Sequence, residues 1–370
     1  IGAQPRKMIL LLIDAYADMK ISGRKGRAPS NEDLKVSARR VYNLDPDYFN
    51  REAAIARVKT LPMKLSASIV GQQDAKEALF RQATISLAGV HDPHRPRLSA
   101  VLAGPKGTGK TELAFTYGNA MGVPTKRLML SSYDEHDGVN ALLRDIKAAV
   151  QANAFTNFLL DEADKAKPKV LEALIPMLDK GRFTLPSHQV RGEWIDAADV
   201  SVLNASFIFA GNFAKNFSKK KSSPGFTSVS TQELPSEGEL RATIVGEGFL
   251  EELLDRVDSV SFVNYLDKRE FRDVLAMHIE KMLAEQSQRQ KMQIESQDKD
   301  ALIDALNEKY WAPEMSNRDA LRLLNKELRL RIAEAVLSGP AKPKALDLKY
   351  DAAKGSIDAC ETIIGGKKGA

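Results

Sequence analysis

From about Lys64 onward, short apolar runs alternate with stretches that carry apolar residues at helical spacing. Five runs have the length and character of strands: Ser99–Ala103, Arg127–Leu130, Asn157–Asp161, Ser206–Ala210 and Ser259–Val263. Between them, Val139, Leu142, Leu143, Ile146 and Val150 share one helical face. Val170, Leu171, Leu174, Ile175 and Leu178 share another. Strands separated by helices predict an α/β domain with a parallel sheet and helices on both faces. After Leu266 helical stripes dominate. Phe271, Val274, Leu275, His278, Ile279 and Met282 form one, with Asp267 and Glu270 placed to cap its start. Leu321, Leu324, Leu328 and Ile332 form another. The expected division is a helical region over 1–60, an α/β domain over 61–264 and a small helical lid domain over 265–370. Lys349 to Ala370 is weakly patterned and is expected to fray. The stretch from Asn216 to Gly238 is rich in Ser, Lys, Pro and Gly, and reads as a long mobile loop.

Composition narrows this picture only slightly. Hydrophobic residues make up 43% and charged residues 28% of the 370, as in a soluble globular protein. The early apolar run Met8–Ile13 is too short to span a bilayer, and no small-residue cleavage site follows it. A single cysteine, Cys360, excludes a disulfide framework and a cysteine-based zinc cluster, so a reducing, cytoplasmic setting is expected. Basic residues gather at Arg24, Lys25, Arg27, Arg39 and Arg40, and again at Lys215, Lys219, Lys220 and Lys221. They read as solvated faces, with contact to nucleic acid or an acidic partner as the other possibility.

Chemistry enters at Gly104-Pro105-Lys106-Gly107-Thr108-Gly109-Lys110-Thr111, which fits G-x-x-x-x-G-K-T. The strand Ser99–Ala103 leads into it. A helix carrying Leu113, Ala114, Tyr117, Ala120 and Met121 on its apolar positions follows. In that context the glycines let successive backbone N–H groups turn inward around phosphate oxygens, and the helix start adds partial positive charge. Lys110 then reaches the β- and γ-phosphates of ATP, and the Thr111 hydroxyl ligates magnesium. A second signal is the strand ending Phe158-Leu159-Leu160-Asp161-Glu162. Asp161 suits magnesium, and Glu162 suits orienting and polarising an attacking water. The tetrad Asp161–Asp164 also spells the signature of DEAD-box RNA helicases. The Ser-Ala-Thr motif and second motor domain of those enzymes are absent from this sequence. The amide of Asn212, after Ala210-Gly211, closes the fourth strand beside the P-loop and is a candidate for positioning water.

Together these motifs resemble the AAA+ ATPases of the Clp unfoldase family, above all their second ATPase module, over about residues 62 to 335. Ile69-Val70-Gly71-Gln72-Gln73-Asp74-Ala75 is similar to the family's opening motif, which lies against adenine. Leu160–Ala166 and Leu178–Arg182 are similar to its Walker B segment and the helix end after it. Asn204–Asn212 is similar to the sensor-1 strand. Phe249–Asp258 is similar to the segment that carries the arginine finger, and Ser316-Asn317-Arg318 to the sensor-2 motif. The resemblance implies a P-loop NTPase fold with a helical lid, and ATP with Mg2+ as cofactors. It implies Asn212 as sensor 1, Arg256 as a finger toward a neighbouring subunit, and Arg318 as sensor 2. It further implies a homo-oligomeric ring, a hexamer, acting on a protein substrate or complex. A DNA-acting or secretion- or conjugation-associated motor and a nucleotide-switched scaffold are the alternatives. Two departures stand out. The stretch Ser131–Val139 has no aromatic residue between glycines, where the family carries its pore loop, and Glu251 replaces a usual proline.

The division of roles predicts two different failures. Lys110→Ala abolishes ATP binding, whereas Glu162→Gln keeps binding and stops turnover. Fluorescent-nucleotide titration and phosphate release measure the two separately. Normal turnover by the Glu162→Gln protein would overturn the Walker B assignment.

Overall fold

The computed structural model describes residues 5–24, 28–42, 50–134, 137–190, 193–195, 197–218, 234–313, 316–338 and 345–361. Helices α1 (Pro5–Ile21) and α2 (Asn31–Tyr42) form a hairpin. The Ser37 hydroxyl donates to Asp14 Oδ2 at 2.7 Å, and Arg40 bridges Asp14 and Asp18 at 2.7 and 2.8 Å. One face of α1 leaves Ile9, Leu12, Ile13 and Tyr16 exposed. Helix α3 (Arg51–Ser68) starts at Asn50, whose side chain accepts the Glu52 N–H at 2.9 Å. It runs without interruption through residue 61, so the boundary expected between 60 and 61 is not a structural break. The reason is packing: Val58, Leu61 and Leu65 of this helix are buried in the same core as Leu79 and Leu113 of the next two helices.

Those helices are α4 (Gln73–Ala88) and α5 (Lys110–Met121), which bracket strand β1 (Leu98–Ala103). Then follow β2 (Thr125–Met129), α6 (Gly138–Ala152), β3 (Asn157–Asp161), α7 (Pro168–Glu172) and α8 (Ile175–Lys180). The stripe from Val170 to Leu178 is therefore two short helices rather than one. Pro168 and Pro176 sit at their first turns, where a missing N–H is tolerated and a continuing helix is not. Four short strands not anticipated from the pattern come next: β4 (Arg182–Leu185), β5 (His188–Val190), β6 (Glu193–Ile195) and β7 (Ala198–Ser201). They pair antiparallel as β4 with β7 and β5 with β6. Strand β8 (Ser206–Gly211), helices α9 (Glu237–Gly246) and α10 (Glu251–Leu254), and strand β9 (Ser259–Phe262) complete this part. Of the long loop expected over 216–238, Asn216–Ser218 lies in a 3₁₀ turn and α9 begins inside its far end. Residues 219–233, with the basic run at 219–221, lie outside the described residues, as do Lys25 and Arg27.

All five anticipated strands join one parallel sheet in the order β2-β3-β8-β1-β9. Alternate residues face opposite layers, as the period of two requires. Val101, Phe158, Phe207 and Phe209 enter the core with α6 to α10. Ala100, Leu102, Leu159 and Ile208 enter the core with α3, α4 and α5. Phe158 and Phe207 are paired in register and stack at 5.1 Å between ring centroids.

Beyond Leu266 the chain is not purely helical as expected. Helices α11 (Lys268–Gln290), α12 (Lys299–Tyr310) and α13 (Asn317–Leu337) pack on a three-stranded sheet of β10 (Gln293–Glu295), β11 (Ala345–Asp351) and β12 (Ser356–Glu361). The last two strands are anchored by Leu346, Leu348 and Ile357, fully buried in the core of this unit, while the carboxylate of Asp347, itself buried, accepts the Gln297 N–H at 2.9 Å. Lys349 to Glu361, expected to fray, is thus largely paired. Its turn is built by Asp351, whose carboxylate accepts the Ala353 and Lys354 N–H groups, and by Gly355 at φ +62°. The anticipated cap of α11 is present as a reciprocal pair of hydrogen bonds between Asp267 and Glu270.

Phe207 is 0% exposed and stacked. Phe207→Ala is therefore expected to destabilise by about 3–5 kcal/mol through the lost contacts and the cavity left behind. Met63→Ala, at a position 67% exposed, is expected to stay within about 0.5 kcal/mol. Urea titration followed by circular dichroism compares the two midpoints, and equal midpoints would contradict the assignment of Phe207 to the central core.

Candidate nucleotide site

Strand order brings the chemistry together. The carboxyl ends of β3, β8 and β1 lie side by side, with Ala103 paired to Gly211 and Asp161 to Ala210. The P-loop, Asp161-Glu162 and Asn212 therefore emerge at one edge, within about two strand spacings, or roughly 10 Å, of one another. A cleft of about 690 Å³ opens there, and the helical unit roofs it. Its apolar end is lined by Ile69, Val70, Leu266, Val274 and Leu321; its polar end holds residues 106–112, Asp161, Glu162, Asn212 and Arg318.

The P-loop geometry requires glycine at its first position. A Cβ on Gly104, at φ +149°, would lie 2.0 Å from the Val263 carbonyl oxygen on the neighbouring chain segment, which cannot move aside. Lys110 opens α5 and is buried. Its Nζ donates to the Gly104 and Pro105 carbonyls, each at 2.6 Å. Burial pushes the ammonium down to about 8, with the Asp164 and Asp161 charges opposing. A buried cation held only by carbonyl dipoles is a site that fits an anion such as a phosphate.

Thr111 Oγ1 lies 3.3 Å from Asp161 Oδ2, so a hydroxyl and a carboxylate oxygen face one another as hard donors for a magnesium ion. Among the described residues no group of three or more His, Cys, Asp or Glu side chains is placed to hold a metal, so phosphate and water oxygens would supply the remaining ligands. Asp161 is also paired with Arg127, whose Nε and Nη2 approach Oδ2 at 2.8 and 2.6 Å. Glu162 follows at φ +57°, a left-handed conformation unusual for a non-glycine residue. The Ser131 hydroxyl donates to its carboxylate and Lys165 Nζ lies 3.1 Å away; both hold the Glu162 carboxyl below its ordinary range. The Asn212 N–H donates to Asp164 Oδ1 at 2.9 Å, which ties the end of β8 to the turn after β3. Arg318 stands exposed at the start of α13, on the cleft wall and close enough to depress the Lys110 ammonium.

Arg127 and Ser131 were not anticipated as site residues. The signal existed in the strand order: β2 pairs with β3, Met129 opposite Asp161, so whatever ends β2 flanks the carboxylates. Arg256 lies elsewhere. It does not line the cleft of its own chain. Its Nε is 3.4 Å from an Asp179 oxygen and its Nη2 is 3.3 Å from Glu252. Nε is nevertheless buried without a hydrogen-bond acceptor. The backbone beneath is rigidly mounted, since the Arg256 carbonyl accepts from Arg95 and Asp258 Oδ2 accepts the Ser99 N–H at 2.8 Å. Tyr133, in the segment where the family carries a pore loop, is buried and donates to Asp145 Oδ2 at 2.6 Å. Glu135 and His136 of that segment lie outside the described residues. Among the described residues no helix is long and apolar enough to cross a membrane.

Comparison with known proteins finds a family model over part of the chain and relatives over most of it. The model of the AAA domain (Cdc48 subfamily) matches residues 95–260. Chaperone protein ClpB 2 of Nostoc sp. is 27% identical over 295 residues, covering 75% of this chain and 31% of the relative. Heat shock protein hsp98 of Neurospora crassa is 26% identical, with coverages of 80% and 33%. The ATP-dependent Clp protease ATP-binding subunit ClpC of Staphylococcus aureus is 25% identical, with coverages of 84% and 38%. The chain thus spans about a third of the length of the curated relatives it matches. Among solved structures, a closed-state cryo-EM reconstruction of Hsp104 with ATPγS and FITC casein matches with a TM-score of 0.73 at 21% identity, covering 95% of this chain and 58% of that one. At that identity the likeness speaks for the fold. Residues 95–260 thus carry an AAA domain, and the curated relatives that the chain resembles are ClpB and ClpC proteins.

Proposed function

We propose that this chain hydrolyses ATP with magnesium in the cleft between the parallel sheet and the helical unit, as one subunit of a homo-oligomeric ring, a hexamer, that remodels a protein substrate or complex in the cytoplasm. The observation that carries the reading is the convergence of Lys110, Asp161, Glu162 and Asn212 on the ends of three adjacent strands, beneath Arg318. Ile69 and Val70 offer the apolar wall that an adenine needs. The backbone N–H groups from Gly107 to Thr111 and the Lys110 ammonium surround the phosphate position. Bound magnesium would neutralise charge on the phosphate oxygens beside Thr111 and Asp161. Glu162, kept ionised by its hydrogen bonds, is the group to orient and polarise the attacking water once Ser131 and Lys165 release it. Asn212 holds the other side of that water. Arg256 sits on a fixed backbone with a side chain that no cleft residue engages, and so suits a neighbour's phosphate better than its own.

Likeness to the ClpB and ClpC relatives supports protein as the target, and the Hsp104 reconstruction that this fold matches contains casein. The burial of Tyr133 removes that aromatic from a threading role. Stimulation of ATP turnover by unfolded protein, and not by single-stranded or duplex DNA, is the expected outcome; stimulation by DNA alone would reverse the substrate assignment.

Arginine fingers contribute about 10³ to 10⁵ in rate, so Arg256→Ala alone is expected to be nearly inactive while still binding ATP. Lys110→Ala is inactive for lack of nucleotide but still presents its own Arg256. Mixing the two, after checking that both assemble and exchange subunits, should restore activity through interfaces that pair an intact P-loop with an intact arginine. Mixed rings without activity would rule Arg256 out as the trans-acting group.

The buried Lys110 also sets a pH dependence. Without phosphate its ammonium titrates at about 8. A bound triphosphate raises that value, so above pH 8 the bound state holds more protons than the free state and affinity falls as pH rises. Calorimetry in buffers of different ionisation enthalpy should find proton uptake near zero at pH 7 and growing toward one at pH 9. Uptake that does not change over this range would contradict the buried-lysine account.

A further inference from the structure

Helix α13 carries a cationic face that the nucleotide chemistry uses only at its first residue. Arg318, Arg322, Lys326 and Arg329 recur at intervals of four, four and three, and so line one side of the helix over about 16 Å. All four are exposed. Among the described residues the ion pair they make is that of Arg322 with Asp319, at 3.6 Å and 75% exposed on the arginine side, which stabilises little. A shallow hollow runs along the row and shares Arg318 and Leu321 with the nucleotide cleft, so the cationic face starts at the cleft mouth and leads away from it. Leu323 and Leu330, 45% and 52% exposed, form an apolar edge along the adjoining face. A surface built for a phosphate backbone has no use for such an edge; a surface built for protein does.

The opposite charge is found around Arg256. Helix α10 presents Glu251, Glu252 and Asp255 to solvent, and Asp179 lies beside them. Of these four carboxylates, Asp179 and Glu252 contact the Arg256 guanidinium. If Arg256 reaches into a neighbour's cleft, Asp179 and Glu252 lose the cation they now hold. Within its own chain the Arg256 guanidinium donates from Nη1 to the Glu252 carbonyl at 2.5 Å, while its buried Nε has no hydrogen-bond acceptor and so has capacity to spare. A neighbour's cleft is where such an arginine would act, and the α13 row starts at the mouth of that cleft with Arg318 and leads outward from it.

We propose that the cationic face of α13 in one copy docks on the acidic surface around α10 in the next copy, and that this contact guides Arg256 into the neighbouring cleft. The proposal rests on the ring reading above and names the surface through which the ring is held. Arg322, Lys326 and Arg329 supply the cations that replace Arg256 as partner of Asp179 and Glu252, while Glu251 and Asp255 complete the complement. Opposed charges across such a face steer association and reject wrong registers, because juxtaposing like charges is strongly unfavourable. Assembly through it should weaken with salt.

Two charge-reversed full-length proteins test the contact. Arg322→Glu/Lys326→Glu makes both surfaces acidic, and Glu251→Lys/Asp255→Lys makes both basic. None of these residues belongs to the cleft chemistry, so each protein is expected to bind a fluorescent ATP analogue like the wild type and to unfold at the wild-type temperature, which shows that it folds. In sedimentation velocity with ATPγS the wild type is expected to assemble. Each reversed protein alone should need at least about ten times more protein to assemble by half. Their equimolar mixture should assemble like the wild type, because an alternating ring pairs an acidic with a basic surface at every interface. Normal assembly of either reversed protein alone would overturn the proposal, and so would a mixture that binds nucleotide but stays dissociated. Normal assembly of the Arg322→Glu/Lys326→Glu protein with loss of binding to single-stranded DNA would instead make the row a nucleic-acid surface. A wild-type chain that stays monomeric with ATPγS would bring down the ring reading itself.

Discussion

The pairing of β8 with β1 on one side and β3 on the other is the interaction on which the rest depends. Both faces of these three strands are dry, since Phe207 and Phe209 face one helical layer while Ile208 and Ala210 face the other. In a parallel sheet each crossover lays a helix on one face or the other, which is what covers both. Parallel strands in turn end at the same edge. Three residues that are far apart in the chain, Lys110, Asp161 and Asn212, are thereby held by backbone pairing rather than by contacts among themselves. Their mutual geometry survives when any one side chain is altered, as a site that must exchange its ligand requires.

Electrostatics refines what the backbone positions. Lys110 is a cation in a poorly solvated place, supported by two carbonyl oxygens and two more distant carboxylates. Asp161 and Glu162 are each held by a basic partner and a hydroxyl. The cleft therefore keeps its charges paired before any phosphate arrives, and phosphate entry is an exchange of partners rather than a burial of bare charge. The same pattern recurs at Arg256, which is paired within its own chain with Asp179 and Glu252.

How much of this was legible in the sequence depends on range. The P-loop and the acidic end of β3 are local patterns, and the five strands show as compact apolar runs because both their faces are buried. The cap of α11 is local too and was visible in Asp267 and Glu270. What escaped needed partners far away in the chain. Strand β10 is three residues long and pairs with β11 some fifty residues later, so nothing in its own vicinity announces it. In β11 the alternation of Leu346 and Leu348 with Asp347 and Lys349 was present, but a run of polar residues hid it. The roles of Arg127 and Ser131 required knowing that β2 lies against β3. The pairing of Arg256 with Asp179 required the fold itself.

Helix α3 has a mechanical consequence. It is 18 residues long, or about 27 Å, and is locked to α5 by the burial of Leu61 and Leu65. Its last turn passes straight into Ile69 and Val70, which form the apolar wall of the cleft. Pro62 within the helix leaves one backbone hydrogen bond unmade, between the buried Leu61 and Leu65. A push at the Arg51 end is therefore delivered to the apolar wall of the cleft as if by a shaft. By reciprocity, a base seated against that wall stiffens the shaft and fixes the direction in which its far end points.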